Sequence, residues 1–527
     1  MIGLLGEQSV SREGFARMSI FETFLGLLFG ATVLSVLARR LSIPYPTLLA
    51  VGGAVVAFLP GAPRFDLPPE LILALFVAPV LLDAAYDTSL RDLRENWQPV
   101  LSLVVVAVGL TTVAVAYTAR LLFPDLPWAA AIALGALVAP PDAVAALAVL
   151  RQVNPPYRLR KVLEGESLLN DASALLIYTL AVGAVTAGSF HASGVLPAFF
   201  LTVFGSVAVG WLLAWPIGRL VEPIEDAPTS VVFQFVFTFA VWLLAEHLGL
   251  SAVVTVVVFA LTAARRSALS ARLRVLTFAV WDAVTFVLNV LAFTLIGLQL
   301  GPILEALSGA ELRRSLLAAL VLLAVVIVVR LVWALVYALV QGRKRASRAS
   351  SPTAPPSAKG GLVIGWSGMR GIVTLATALA LPAGFPERDF IQLTAFVVVL
   401  GTLVIQGLTL RPLLLWLKLP ADHTVQTELG LTRVTALKAA MKTLEGDDSD
   451  AAGRLRLEYQ ADLGRLRSGG DPRDLPDNVL RQRAVGAARQ AIAELRRSGK
   501  IGDDAYNLVQ EELDWLELSA QPVLAPG

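Results

Sequence analysis

Apolar runs of bilayer length recur along most of this chain, and no other feature narrows its possible folds as much. Crossing about 30 Å of hydrocarbon takes roughly twenty helical residues, and a helix satisfies its own backbone there. Such runs lie near 20–38, 45–61, 69–86, 97–119, 126–150, 163–187, 194–219, 229–247, 250–264, 275–301, 315–341, 361–382 and 389–410, roughly thirteen in all. The 250–264 run is the shortest. Only 16% of the residues are charged, against about 25% in soluble proteins, and the mean hydropathy is +0.70. The expectation is an all-α polytopic membrane protein. The absence of cysteine excludes disulfides, thiol chemistry and Cys-ligated metals. His191, His247 and His423 are scattered, which argues against a His-built metal site. A net charge of +2 gives no electrostatic footprint for nucleic acid.

Residues 1–17 read as an extracytoplasmic N-terminal segment, neither signal peptide nor span, with Met18 as an alternative start. Lys and Arg in the short loops set the orientation. With the N-terminus outside, the inside loops hold Arg39, Arg40, Arg91, Arg94, Arg151, Arg158, Arg160, Lys161, Arg219 and the clusters at 265–274 and 343–359. That is about eighteen basic residues inside against about seven outside. The chain is therefore expected in the cell (inner) membrane, N-terminus out and C-terminal tail in the cytoplasm. The transmembrane part covers 18–419. Inside it, "QGRKRASRASSPTAPPSAKGG" at 341–361 has the composition of a flexible cytoplasmic linker. Residues 420–527 are polar and helix-prone and read as a small cytoplasmic helical domain, with a hairpin of 478–498 and 503–519 around "SGKIGD".

Ionisable groups inside a span are costly and mark function. In "GALVAPPDAVAALAVL", 135–150, Pro140 has no N–H for the Ala136 carbonyl and Pro141 none for that of Leu137. The helix must break there, and Asp142 follows at once. Irregular backbone at that depth is buried in protein or lines a cavity. Freed carbonyls beside a carboxylate make a hard-oxygen site suited to a small cation. The competing reading is a proline kink whose acid caps the second half-helix, a task Ser or Thr would perform without a charge.

In "KVLEGESLLNDASALLIYTL", 161–180, Ser167 and Asp171 share one helix face. Glu166 and Asn170 share another, about 100° away. The first pair can face a cation path and the second protein. Glu164 reads as a loop charge balancing Arg160 and Lys161. Arg330 stands roughly fifteen residues from either end of its apolar run, too deep to snorkel. It needs an acidic partner within the bundle, and Glu166 is the first choice. In "GWSGMRGIVTLATALAL", 365–381, three glycines in seven residues weaken the helix, and Arg370 sits in or beside a second break. Two broken helices that cross set like dipole ends against each other, where an acid offsets the positive ends and a base the negative ends. The alternative is a glycine packing motif with a snorkelling Arg370. Asp83, near the inside end of the third span, is a further candidate, ahead of Asp87, Asp282 and Asn289.

With "LLDAAYDTSLRDLRENWQPVL", "AEHLGLSAVV" and "FVLNVLAFTLIGLQL", these stretches resemble the sodium/proton exchangers of the monovalent cation:proton antiporter-1 type, in the bacterial branch with a cytoplasmic tail. They lie in family order over most of 70–410, and Gly-Glu-Ser-x-x-Asn-Asp is the specific element. The resemblance implies about thirteen helices in inverted repeats with two broken crossing helices. It also implies a core bundle that moves against a dimerisation bundle, and a homodimer. Asp171 would be the cation- and proton-binding carboxylate, with Ser167 and Asp142 near the transported Na⁺. Glu166 would pair with Arg330, and Arg370 would stabilise the crossing beside Pro140 and Pro141. Asn170, just before the acid, implies electroneutral exchange. One departure concerns the first break. The family pattern is Thr-Asp-Pro, and here it is Pro141-Asp142-Ala143. Any role of the missing hydroxyl passes to backbone carbonyls or water, and the choice among Na⁺, Li⁺ and K⁺ stays open.

On this reading Na⁺ or Li⁺ competes with H⁺ at Asp171 under alternating access. The alternative is potassium/proton exchange for pH or K⁺ homeostasis. An intramembrane aspartyl protease would by resemblance carry Gly-x-Gly-Asp, which the chain lacks. A channel would show a selectivity-filter repeat, which is not visible. No enzymatic activity and no cofactor are expected. The expected partners are monovalent cations, protons, membrane lipid and a second copy of the chain, with no nucleic acid.

Overall fold

The computed structural model describes residues 22, 24–60, 68–150, 152–153, 155–186, 192–221, 223–224, 226–265, 271–307, 309–346, 357–419, 422, 424–470, 475–498 and 500–520. The 1–17 segment and residues 347–356 of the 341–361 linker lie outside the described residues. The described residues form helices and no strands, and the chain divides into two compact units, Met1–Pro420 and Ala421–Gly527.

Among the described residues, eight helices are long and apolar enough to cross a membrane. In chain order the first unit holds α1 (Phe24–Leu41), α2 (Tyr45–Ala57), α3 (69–87), α4 (Leu90–Glu95), α5 (Trp97–Leu122), α6 (Trp128–Val138), α7 (Ala143–Leu150) and α8 (Tyr157–Thr186). There follow α9 (Ala192–Val221), α10 (Ala227–His247), α11 (Ala252–Ala264), α12 (Ala271–Leu298), α13 (Leu300–Glu305), α14 (Gly309–Ala346), α15 (Ala358–Trp366), α16 (Ile372–Leu379) and α17 (Arg388–Leu417). Large apolar side chains point outward along these helices, with Phe29 at 72%, Leu201 at 74% and Trp416 at 73% exposure. In water such a surface would be a liability, whereas hydrocarbon solvates it.

α6 is packed closely on its neighbours. Its sequence WAAAIALGALV is built from small residues, and Ala130, Ala131, Ala133 and Ala136 are fully buried. Small side chains let helix backbones approach closely, which drives association where lipid removes the hydrophobic incentive. Leu134 of α6 joins Leu322 and Val326 of α14 and Val398 of α17 in one apolar cluster. Side-chain hydrogen bonds to carbonyls pin further helices together. Thr47 of α2 donates to the Leu403 carbonyl of α17 at 2.8 Å. Tyr178 of α8 donates to the Thr377 carbonyl of α16 at 2.9 Å, and Ser173 of α8 to the Val104 carbonyl of α5 at 3.0 Å. At the polar start of α8, Glu164 is bracketed by Arg160 and Lys161, each at 2.7 Å.

The second unit holds α18 (Thr424–Thr443), α19 (Asp450–Arg467), α20 (Pro476–Arg497) and α21 (Asp503–Ala520). Ser449 caps α19, its hydroxyl accepting from the Ala452 N–H at 3.2 Å. A hairpin of α20 and α21 is held by Arg489, which pairs with Asp514 and Glu517. Gln482 reinforces it, donating to the Ala520 carbonyl at 2.9 Å.

Candidate functional site

Two helices are interrupted, and their interruptions meet. The first runs as α6, stops at Val138 and restarts as α7 at Ala143. Pro140 and Pro141 fill the gap, since neither has an N–H to continue the ladder. The second runs as α15, stops at Trp366 and restarts as α16 at Ile372. The Asp142 N–H does not return to its own helix. It donates to the Met369 carbonyl in the opposite break at 2.6 Å.

That diversion leaves carbonyls of the first break in need of donors, and side chains supply them. Arg370 is fully buried. Its Nε donates to the Val138 carbonyl at 3.0 Å and its Nη2 to the Ala139 carbonyl at 3.2 Å. A third bond from Nη1 goes to the Gly368 carbonyl, and the Arg370 backbone N–H donates to Thr402 of α17 at 3.0 Å. The guanidinium thus sits at the C-terminal end of α6, where the helix dipole is negative. The Pro141 carbonyl accepts from Asn170 Nδ2 of α8 at 2.8 Å.

Asp142 occupies the complementary position. Its Oδ1 accepts from the Val144 N–H at 2.8 Å, capping α7. Its Oδ2 lies against Gly371, the N-cap of α16, so closely that a β-carbon there would overlap the carboxylate. One acid therefore faces the N-terminal ends of both second half-helices, and it caps as well as carrying charge.

The two faces of α8 have separate surroundings. Glu166 and Asn170 are 1% and 0% exposed, whereas Ser167 and Asp171 are partly buried. Arg330 of α14, 2% exposed, forms a fork on Glu166, with Nη1 to Oε1 at 2.5 Å and Nη2 to Oε2 at 2.9 Å. Its Nη2 also donates to the Ile364 carbonyl of α15 at 3.1 Å, so the ion pair ties α8 and α14 to the helix entering the second break. No donor among the described residues holds the Ser167 hydroxyl or the Asp171 carboxylate, and Asp171 is close enough to Asp142 for the charges to interact. Asp83 lies partly buried on α3.

The crossing therefore gathers Pro140, Pro141, Asp142, Asn170 and Arg370, with Asp171 within electrostatic reach and the Glu166–Arg330 pair bracing it. Sequence reasoning missed two bonds that complete it, Asn170 to the Pro141 carbonyl and the Arg370 N–H to Thr402. The Asn170 bond to Pro141 had a signal, because a proline-interrupted buried backbone needs side-chain donors. The bond to Thr402 had none, since that threonine reads as an ordinary residue of an apolar helix.

The model of the family described as "Sodium/hydrogen exchanger, transmembrane" matches residues 25–416. A sodium, potassium, lithium and rubidium/H⁺ antiporter of Bacillus pumilus is 29% identical, covering 90% of this chain and 74% of that protein. An uncharacterised Na⁺/H⁺ exchanger of Mycobacterium bovis is 30% identical, covering 94% and 96%. A low-affinity Na⁺/H⁺ antiporter of Synechocystis, NhaS1, is 28% identical, covering 89% and 90%. Among solved structures, the sodium proton antiporter MjNhaP1 of Methanocaldococcus jannaschii superposes with a TM-score of 0.59 at 18% identity, over 76% of this chain and 99% of that one. The fold is shared with that antiporter, and the chain belongs to the sodium/hydrogen exchanger family.

Proposed function

We propose that this integral membrane protein exchanges Na⁺ for H⁺ at Asp171, electroneutrally and by alternating access. The observation that carries the reading is an unbonded, partly buried carboxylate, Asp171, within electrostatic reach of Asp142 at a crossing where Arg370 and the Asp142 N–H are held by backbone carbonyls. The carboxylate is left to bind either a cation or a proton, with Ser167 on the same face and Asp142 opposite. Sodium is substrate here, and the reading assigns no enzymatic activity and no resident cofactor. If the site crosses the membrane only when neutralised, one Na⁺ returns for each H⁺. Asn170 contributes a neutral amide beside Asp171, and this supports electroneutrality.

The proposal takes the broken helices as two of about thirteen crossings in inverted repeats, with the N-terminus outside, the 421–527 unit in the cytoplasm and a homodimer as the working form. In that frame α16 runs toward the outside. Its Ile372 and Ala376 pack on Ile72 and Phe76 of α3 and Ala292 of α12, an apolar contact that supports closure of the outer side of the site.

The test is reconstitution into liposomes carrying a proton gradient and a pH dye. Na⁺ and Li⁺ are expected to dissipate the gradient at rates independent of an imposed membrane potential. K⁺, included because the Bacillus relative is named for it, decides the breadth of selection. Lowering pH slows exchange, because protons compete for the carboxylate, and raising Na⁺ restores it. Failure of every cation to dissipate the gradient rejects the reading. The same assay probes the crossing. Gly371→Ala pushes the Asp142 carboxylate from its cap and is expected to slow exchange at least about tenfold. A wild-type rate would show that Asp142 need not hold its place.

A further inference from the structure

Gln406 of α17 is a buried polar group that the exchange site does not use. It is 0% exposed, and neither its amide oxygen nor its amide nitrogen has a hydrogen-bond partner among the described residues. Ser367, the first residue of the second break, is 1% exposed, and its hydroxyl is equally without a partner. Buried polar groups are as a rule bonded to protein or to ordered water.

Helical spacing sets these two groups side by side. Thr402, Gln406 and Thr409 are four and three residues apart and project from one face of α17. Thr402 accepts from the Arg370 N–H at 3.0 Å, and Thr409 accepts from the Trp366 indole N–H at 2.9 Å. The face therefore lies along 366–370, with Gln406 between the two anchors as Ser367 is between Trp366 and Arg370. Met369 bounds the same region. It is 0% exposed, and its sulfur lies 3.5 Å from the point a β-carbon on Gly407 would occupy.

The chemistry selects the occupant. Arg330 and Arg370 both press against Gly368, next to Ser367, so a cation is repelled. An amide and a hydroxyl, each able to donate and accept, suit a neutral molecule that does both. We propose that an internal water site lies between Gln406 and Ser367. Gln406 is then a positioning residue for the second break, acting through that water on Met369, whose carbonyl holds the Asp142 N–H at 2.6 Å.

X-ray radiolytic footprinting of the full chain tests the site without any transport assay. Hydroxyl radicals made from a bound water oxidise the buried side chain beside it. Met369 is expected to be oxidised at a rate comparable with that of the partly buried Met441, and Gln406→Leu to slow Met369 oxidation severalfold. A Met369 protected like a dry core residue in the wild type overturns the site, whether or not any variant folds. The positioning role rests on the exchange reading and has its own readout. Gln406→Leu and Ser367→Ala are each expected to raise the half-saturating Na⁺ concentration severalfold at an unchanged maximal rate. The double variant is then no worse than the more affected single, because both lose one shared water. Additive effects, or a Gln406→Leu protein that transports normally and melts higher because a dry amide has been removed, overturn it. If footprinting finds the water while the wild type moves no cation, the exchange reading fails and the water site stands.

Discussion

Asp171→Asn is expected to reduce cation-driven proton exchange to the level of protein-free liposomes while the protein stays folded. The substitution keeps the shape of the side chain and removes its charge. No described group donates to that carboxylate, so folding loses no bond. Relief of the like charge on Asp142 leaves the melting temperature unchanged or raised. What is lost is the carboxylate at the crossing that, among the described residues, can take a proton or a cation without breaking a hydrogen bond. Asp142 already caps α7 through Oδ1 and lies against Gly371, so on this reading it assists at the cation but does not replace Asp171 as the exchanging carboxylate. Dequenching by Na⁺ in proteoliposomes, alongside a melting curve, separates the two effects. Residual exchange would place the transport carboxylate elsewhere, and collapse of the melting curve would make Asp171 structural.

The second large effect falls on stability. Glu166→Gln leaves the Arg330 guanidinium buried beside a neutral amide, and losing one partner of a buried pair costs about 3–5 kcal/mol. Melting of the detergent-solubilised protein should fall clearly for Glu166→Gln and for Arg330→Met. Glu166→Leu with Arg330→Met should recover much of the loss, because an apolar replacement of a whole buried pair is often neutral. The reversed pair, Glu166→Arg with Arg330→Glu, should regain only part of it, since the Arg330 bond to the Ile364 carbonyl is not rebuilt. Single variants that melt like the wild type would mean that the pair contributes little to the fold.

What could be read from the sequence follows from how local each cause is. The first break was readable because a proline has no N–H wherever it sits. The Glu166–Arg330 contact was readable because an Arg in mid-span must find an acid and the bundle offers few. The faces of α8 followed from a 100° step per residue. The hairpin of α20 and α21 followed from two helix-prone runs flanking the Gly-containing "SGKIGD" turn. The rest depends on which helices touch. Arg370 at the negative end of the first half-helix followed from the two breaks, but which carbonyls it takes, those of Val138 and Ala139 more than two hundred residues away, has no local sign. Asp142 reads from the sequence as a cation ligand or a helix cap. The structure shows the cap bond, which leaves the carboxylate lone pairs for a cation. Thr402 and Gln406 stayed hidden because two polar residues in a long apolar helix give no sign of what they face.

The central claim is that Na⁺ and H⁺ use one site in turn, and its most direct test is the half-saturating Na⁺ concentration of the wild type across a pH series on the same side of the membrane. Competition at Asp171 predicts that this concentration rises, approaching about tenfold per pH unit toward acid pH, while the maximal rate at saturating Na⁺ holds. A half-saturating concentration that stays constant while the maximal rate falls would mean that proton and cation bind at different places, and would contradict the account.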